Sequence, residues 1–267
     1  IKVVIDYGAI TMSQNQAHSF RLEGQLGLIT GGGTGLGLGI AHAFVAQGAR
    51  VVITGRREEV LQQAAADLGA AASYRVHDIT EHAAAAALIA SIEQEHGALT
   101  ALVNNAGNQI HSPAEDFSEE DLQHILDVHV VGAFSLSRHA ARRMMEQGQG
   151  SITFIASMAS LFGIPNVSAY SAAKTAHLGL VRTLSTEWAH RGVRINAIAP
   201  GWILTEMSRN AFEKNPDRKA KVLGRTPMQQ LGEPADIGWT AAFLASPAAQ
   251  FITGVCIPVD GGASIGF

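Results

Sequence analysis

Short apolar runs alternate with longer amphipathic stretches along most of this chain. Residues 26–30, 50–54, 99–104, 150–157, 193–199 and 255–259 are apolar runs of strand length, and 72–77 is a weaker one. They look like buried strands. Helix-length segments lie between them, among them 56–68, 81–96 and 118–146. Strands alternating with helices predict a parallel sheet covered by helices on both faces. With right-handed crossovers this becomes a single-domain α/β fold, the doubly wound or Rossmann arrangement.

No Pro- or Ser-rich linker divides the chain, and no repeat of 20–50 residues is visible. Residues 202–227 are the least regular region, polar and carrying most of the late charges. An insertion there, just after a strand, is expected to lie over the carboxyl edge of the sheet as a substrate lid, since ligands bind at that edge. Residues 1–19 read as a disordered leader or extension, with Met12 a candidate start, and residues 20–267 as the dinucleotide-binding catalytic domain.

Composition narrows the function classes. The chain has 267 residues, 47% of them hydrophobic, enough for a substantial core. Its formal net charge is −4 and no basic patch is evident, which argues against nucleic acid as a partner. Cys256 is the only cysteine, so neither an internal disulfide nor a cysteine metal cluster can form, and no metal site is expected. That usage fits a reducing, cytoplasmic compartment. No apolar run reaches membrane-span length, so no membrane partner is expected. The opening residues, interrupted by Asp6, resemble no secretory signal.

Thr30-Gly31-Gly32-Gly33-Thr34-Gly35-Leu36-Gly37 follows the first strand and opens a helix. Glycines allow a sharp turn and the close approach of a pyrophosphate. The helix N-terminus offers free N–H groups and a positive dipole end. The spacing is T-G-x-x-x-G-x-G rather than G-x-G-x-x-G, and by itself it also fits a plain flexible turn. After the second strand, Thr54-Gly55-Arg56-Arg57 carries no carboxylate for a ribose hydroxyl. Arg56 could pair with a 2′-phosphate, or be a solvated first-turn residue. The expectation is NADP preferred, with NAD open.

Tyr170-Ser171-Ala172-Ala173-Lys174 places a phenol and an ammonium four residues apart, on one face of a helix. A free tyrosine has a pKa near ~10, and a neighbouring ammonium lowers it. A shift of ~3 units needs about 4 kcal/mol of differential stabilisation, which a cationic nicotinamide could share. Tyr170 could then exchange a proton with an alcohol or carbonyl as hydride moves. The pattern alone fits an ordinary amphipathic helix equally. Ser157, ending the fifth strand, could orient the substrate oxygen or merely cap a turn.

In combination and order these residues resemble the short-chain dehydrogenase/reductase family, over residues 22–262. Residues 30–37 match its glycine motif, and Asn104-Asn105-Ala106-Gly107 its N-N-A-G signature. Ser157, Tyr170 and Lys174 match its catalytic serine, tyrosine and lysine, and Asp78-Ile79 the pair that touches adenine. Asn196, Pro200, Gly201 and Thr205 match the segment along the nicotinamide. By this resemblance Gly31, Gly33, Thr34, Gly35, Leu36, Gly37, Asn105, Ala106 and Gly107 hold the coenzyme, Lys174 also holds the nicotinamide ribose, and Ile203 meets the carboxamide through its backbone.

Two departures stand out. Where the family has an Asn thought to hold a water linking the lysine to solvent, this chain has His129, in Asp127-Val128-His129-Val130-Val131-Gly132. A histidine can hold a water but can charge near neutral pH, so a relay with altered pH dependence is expected. Thr34 stands where many NADP-dependent members carry a basic residue. Closer likeness, in 155–159, 200–207 and 224–227, is to gluconate 5-dehydrogenase-type members, which interconvert an alcohol and a ketone on sugar acids. Gln109, His111, Asn166, Trp202 and Arg209 are candidates for a hydroxylated substrate, though each is as readily a solvated or packing loop residue. The rivals are a 3-oxoacyl thioester reductase and a catalytically idle dinucleotide-binding protein. The resemblance also implies a homotetramer using helices 118–146 and 169–190, with 253–267 as another contact.

Overall fold

The computed structural model describes residues 20–205, 208, 209, 212 and 216–266, so the expected leader, residues 1–19, lies outside the described residues. Seven strands form one parallel sheet: β1 (Leu26–Thr30), β2 (Arg50–Gly55), β3 (Ala72–Val76), β4 (Ala101–Asn104), β5 (Gly150–Ile155), β6 (Val193–Pro200) and β7 (Cys256–Val259). Their spatial order is β3-β2-β1-β4-β5-β6-β7. The order reverses between β1 and β4, which opens a crevice at the carboxyl ends of those strands. This is the doubly wound sheet that the alternation predicts.

Helices cover both faces: α1 (Gly35–Ala46), α2 (Glu58–Leu68), α3 (Ala85–His96), α4 (Glu119–Leu126), α5 (Gly132–Gln147), α6 (Ser168–Trp188), α7 (Pro216–Arg225) and α8 (Pro234–Ala245). Because side chains alternate across a strand, each strand feeds two cores. Ile29, Val51, Ile53 and Ile198 pack with Ile40, Phe44 and Leu244 on one face. Leu28, Val52, Ile152, Phe154 and Ile195 pack with Ile92, Leu136, Met144 and Val181 on the other. Each fully buried side chain of this size stabilises by about 1.5–3 kcal/mol, so the strand ends are held by rigid packing on both sides.

Three boundaries differ from the sequence reading, each for a local reason. β5 stops at Ile155, and Ser157 caps a short 3-10 turn, Met158–Ser160, through Ala159 N–H (3.1 Å). The segment 81–96 begins as a 3-10 turn, His82–Ala84, before α3. The single helix expected over 118–146 is two helices joined by a π turn, Asp127–Val131. Ser118 caps α4 by accepting from Asp121 N–H (3.0 Å), as its N-terminal position predicts. The π turn inserts one residue at His129, the position of the departure noted above. Such turns are frequent at functional sites.

Candidate active site

The crevice has a coenzyme side built from backbone. Gly31 and Gly35 adopt φ of +64° and +54°, conformations that glycine alone takes at little cost. A Cβ on Gly37 would lie 2.2 Å from the Gly31 carbonyl oxygen, so only glycine lets α1 start this close to the loop. Thr34 is the N-cap of α1 and its side chain forms no cap bond. The neighbouring loop after β4 is stitched to this one through Thr30. The Thr30 hydroxyl accepts from Asn105 N–H (3.0 Å) and Ala106 N–H (2.9 Å) and donates to the Val103 carbonyl (3.3 Å). Asn105 Nδ2 donates to the carbonyls of Thr30 (2.9 Å) and Gly31 (3.2 Å). Thr30, read from the sequence as the first residue of the glycine motif without a role of its own, is a positioning residue for both loops.

The glycine cradle, its narrow backbone approach and the N-terminus of α1 fit a dinucleotide pyrophosphate. Further along the crevice, Arg56 Nη1 stands 3.9 Å from Asp78 Oδ2, with the guanidinium largely in solvent. Hydrogen bonds from Thr80, helped by Arg56, hold the Asp78 carboxyl below its usual range. The Ile79 carbonyl lies 2.6 Å from where a Cβ on Gly132 would stand, which brings α5 up against this loop. Pro200 ends β6, and Gly201 N–H donates to the Val259 carbonyl (3.0 Å). Ile203 is buried, with its carbonyl accepting from Ser208 Oγ (2.8 Å). Thr205 approaches Gly35: a Cβ there would lie 3.6 Å from Thr205 Cγ2. Asn196 is elsewhere. It is fully buried and ties β6 to the start of β7 through the Ile252 carbonyl (3.0 Å) and Val255 N–H (3.3 Å), a structural part of its motif.

The second side converges on Tyr170 and Lys174, one turn apart in α6. Lys174 is buried, and its Nζ donates to the carbonyl of Ile155 (2.5 Å) and stands 5.6 Å from the centre of the Tyr170 ring. Burial pushes its pKa down to about 7. The Ser157 hydroxyl, beside that of Tyr170, opposes the upward push of burial on the phenol; the net pKa is raised. This differs from the expected lowering by Lys174: burial of the phenol dominates, and the ammonium is not among the influences found.

His129 is also corrected. It is buried in the π turn, where burial and then the Lys174 charge push its pKa down to about 2, so it stays neutral rather than charging near neutral pH. Its ring meets the Tyr170 ring edge-on at 5.5 Å. A Cβ on Gly107 would lie 2.4 Å from His129 Cε1, so the imidazole is pressed against the loop after β4. His129 Nε2 lies 2.8 Å from the Asn108 carbonyl and 3.1 Å from Asn108 N–H. One nitrogen cannot both donate and accept. The shorter contact favours a proton on Nε2 for the Asn108 carbonyl, and that tautomer leaves Asn108 N–H without the ring as its acceptor.

The proposed substrate residues scatter around the mouth. Gln109, His111 and Asn166 are exposed; Asn166 has φ +64° and accepts from Ser112 N–H through its carbonyl (3.1 Å). Arg209 is exposed. Trp202 lines a cavity of about 360 Å³ with Met228, Trp239 and Asp260, whose lining among the described residues includes neither Ser157 nor Tyr170. Two residues that the sequence reading missed belong to the floor: His177, three residues beyond Lys174 on the same helical face, and Asn108. The His177 spacing was visible, but one histidine in a helix carries little signal by itself.

A glycine cradle beside a convergent serine, tyrosine and lysine at a strand-order reversal defines a nicotinamide-dependent oxidoreductase. A family model described as enoyl-(acyl carrier protein) reductase matches residues 31–264. A galactitol 2-dehydrogenase (L-tagatose-forming) of Cereibacter sphaeroides is 40% identical over 92% of this chain and 97% of its own length. The gluconate 5-dehydrogenase of Gluconobacter oxydans is 35% identical over 92% and 97%. The crystal structure of a gluconate 5-dehydrogenase from Burkholderia cenocepacia, in complex with NADP and tartrate, superposes with a TM-score of 0.89 at 35% identity, covering 94% of this chain and 100% of that one. The chain belongs to the short-chain dehydrogenase/reductase family. It is an oxidoreductase that uses a nicotinamide dinucleotide and acts on CH–OH groups.

Proposed function

We propose that the enzyme interconverts a secondary alcohol and a ketone on a sugar acid or polyol, with NADP as the preferred coenzyme. The observation that carries this reading is the convergence of Ser157, Tyr170 and Lys174 beside the glycine cradle, at the carboxyl edge of β5. The likeness to galactitol and gluconate dehydrogenases supports the substrate class. The bound coenzyme takes up or gives the hydride. Ser157 orients the reacting oxygen. Tyr170 gives its proton to a forming alkoxide in the reductive direction and, as phenolate, removes the alcohol proton in the oxidative one. The Lys174 charge favours that phenolate and reaches the coenzyme ribose. His129, neutral, holds the loop after β4 and the edge of the Tyr170 ring in register, and is where a water joins the site to solvent. It positions rather than titrates.

For the coenzyme, Gly31, Gly33, Thr34, Gly35, Leu36 and Gly37 cradle the pyrophosphate. Asp78 and Ile79 flank the adenine, and Asn105, Ala106 and Gly107 back the nicotinamide ribose. Pro200, Gly201, Ile203 and Thr205 border the nicotinamide. Arg56, exposed and tethered only loosely to Asp78, is placed to receive a 2′-phosphate. The segment 202–227 acts as the substrate lid, with Gln109, His111, Asn166 and Trp202 as substrate-side residues, and 20–267 is the catalytic unit. Among the described residues no helix is long and apolar enough to cross a membrane. We assign a cytoplasmic setting from the single, half-buried Cys256. Exposed Leu122, Val131 and Phe134 on α4, the π turn and α5 suit burial against a second copy, supporting a homotetramer.

The test is absorbance at the reduced-nicotinamide band with polyols, aldonates and acyl-thioester ketones, each with NADP(H) and NAD(H). Turnover on polyols or aldonates, faster with NADP, is expected. Turnover only on acyl thioesters, or none despite coenzyme binding, overturns the reading.

A further inference from the structure

Two buried histidines, His129 and His177, lie near Lys174, each with one ring nitrogen unpartnered among the described residues. His177 Nε2 donates to the carbonyl of His129 (2.8 Å), which fixes its proton on Nε2 and leaves Nδ1 as a lone-pair acceptor. His129 Nε2 meets the Asn108 carbonyl at 2.8 Å, and with the proton there its Nδ1 is likewise a lone-pair acceptor. Both Nδ1 atoms are buried without a hydrogen-bond partner among the described residues, although both residues are only 2% exposed. Their rings are 6.5 Å apart. The Ile155 carbonyl, which accepts from Lys174 Nζ at 2.5 Å, also lies by the His177 ring, so the lysine and the imidazole share one neighbour. The ammonium has three N–H donors, and that carbonyl takes one.

Two buried acceptors without donors thus lie within electrostatic reach of Lys174, whose ammonium has donors to spare. Buried polar atoms in native proteins are rarely left so, and ordered water meets them where groups are polar and spaced for it. We propose that His177, through its Nδ1 lone pair and with His129 Nδ1 beside it, is a positioning residue that accepts the spare Lys174 hydrogen bonds, directly or through one ordered water, and keeps the buried ammonium charged.

The surroundings leave these imidazoles as its neutral support. Facing Lys174 are Tyr170 and His177 from α6, His129 from the π turn, and the Ile155 carbonyl from β5. Desolvation is the sole influence found on its charge among the described residues, with no carboxylate contributing. The Lys174 charge in turn holds both imidazoles neutral, hence able to accept. The proposal rests on the reading that Tyr170 and Lys174 handle the proton.

Its test is the pH profile of kcat/KM for alcohol oxidation in His177→Leu and His177→Asn. Leucine removes the acceptor, Lys174 surrenders its proton more readily, and Tyr170 ionises only at higher pH. The acid limb should move up by about one pH unit. Asparagine keeps one acceptor and one donor and should bring the limb back toward wild type. A His177→Leu limb that overlays wild type, or an Asn variant no better than Leu, overturns the proposal without touching the role of Tyr170, which Tyr170→Phe tests separately. Should His177→Leu fail to fold, a high-resolution crystal structure of the wild-type enzyme decides. A water or Nζ itself within about 3.2 Å of His177 Nδ1 bears the proposal out, and a dry, donor-free Nδ1 refutes it.

Discussion

The two sides of the crevice are finished differently. On the coenzyme side, the polar atoms that join the loops are met within the protein: Thr30 accepts two N–H groups and Asn105 spans two carbonyls. On the catalytic side, His129 Nδ1, His177 Nδ1 and Asn108 Oδ1 are buried and unpartnered among the described residues, near a lysine that donates to the Ile155 carbonyl. A preformed backbone cradle suits a ligand that must dock in one register. A floor with open acceptors suits a group whose protonation state changes, because the charge is balanced by adaptable neutral partners rather than by a fixed carboxylate that would lock it.

The largest way to sharpen this contrast is Lys174→Met, which removes the cation and leaves the cradle alone. A fall in kcat of about 100-fold or more is expected, with coenzyme affinity less affected. Comparable losses in both would mean that the two sides are not separable. Next is Gly37→Ala. Its Cβ would stand 2.2 Å from the Gly31 carbonyl oxygen, so the loop must move. Coenzyme Kd should rise about tenfold or more while kcat at saturation changes little, measured by fluorescence titration and steady-state kinetics. Arg56→Ala follows, with NADP affinity reduced by about tenfold and NAD affinity unchanged. Equal effects on both dinucleotides would place Arg56 outside the 2′-phosphate site.

The smallest effect concerns stability. His129 and His177 stay neutral down to about 2 and about 3 in the folded chain, far below the ordinary histidine value of 6.5. Between those values the unfolded chain binds more protons, so stability is present above about pH 6.5 and falls as the pH drops below it. Each histidine contributes a slope of up to about 1.4 kcal/mol per pH unit there. Denaturant unfolding at pH 7 and pH 5.5 should show this loss, and His177→Leu should lessen the slope. A slope unchanged in that variant would mean that His177 is not buried neutral.

Most of the fold was legible in the sequence because its signals are repetitive. Leu28 and Ile29, or Phe154 and Ile155, sit in apolar runs that only strands buried on both faces use. The glycine cradle was legible because its residues are contiguous. Tyr170 and Lys174 were legible through their four-residue spacing. The π turn was not, since one inserted residue at His129 barely disturbs the helical period, and the neutrality of that ring depends on burial that no local pattern reveals. His177 was hidden for a similar reason: its partner is a backbone carbonyl 48 residues away. Ser157 was seen as either a cap or an orienting group. The structure makes it a cap to Ala159 and also a neighbour of Tyr170.

The most direct measurement is turnover by Tyr170→Phe on the best substrate of the panel, alongside its coenzyme Kd. The account predicts a kcat lowered by about 100-fold or more, because no other group at that position can carry the proton, with binding of the dinucleotide retained. Turnover within a few-fold of wild type would contradict it.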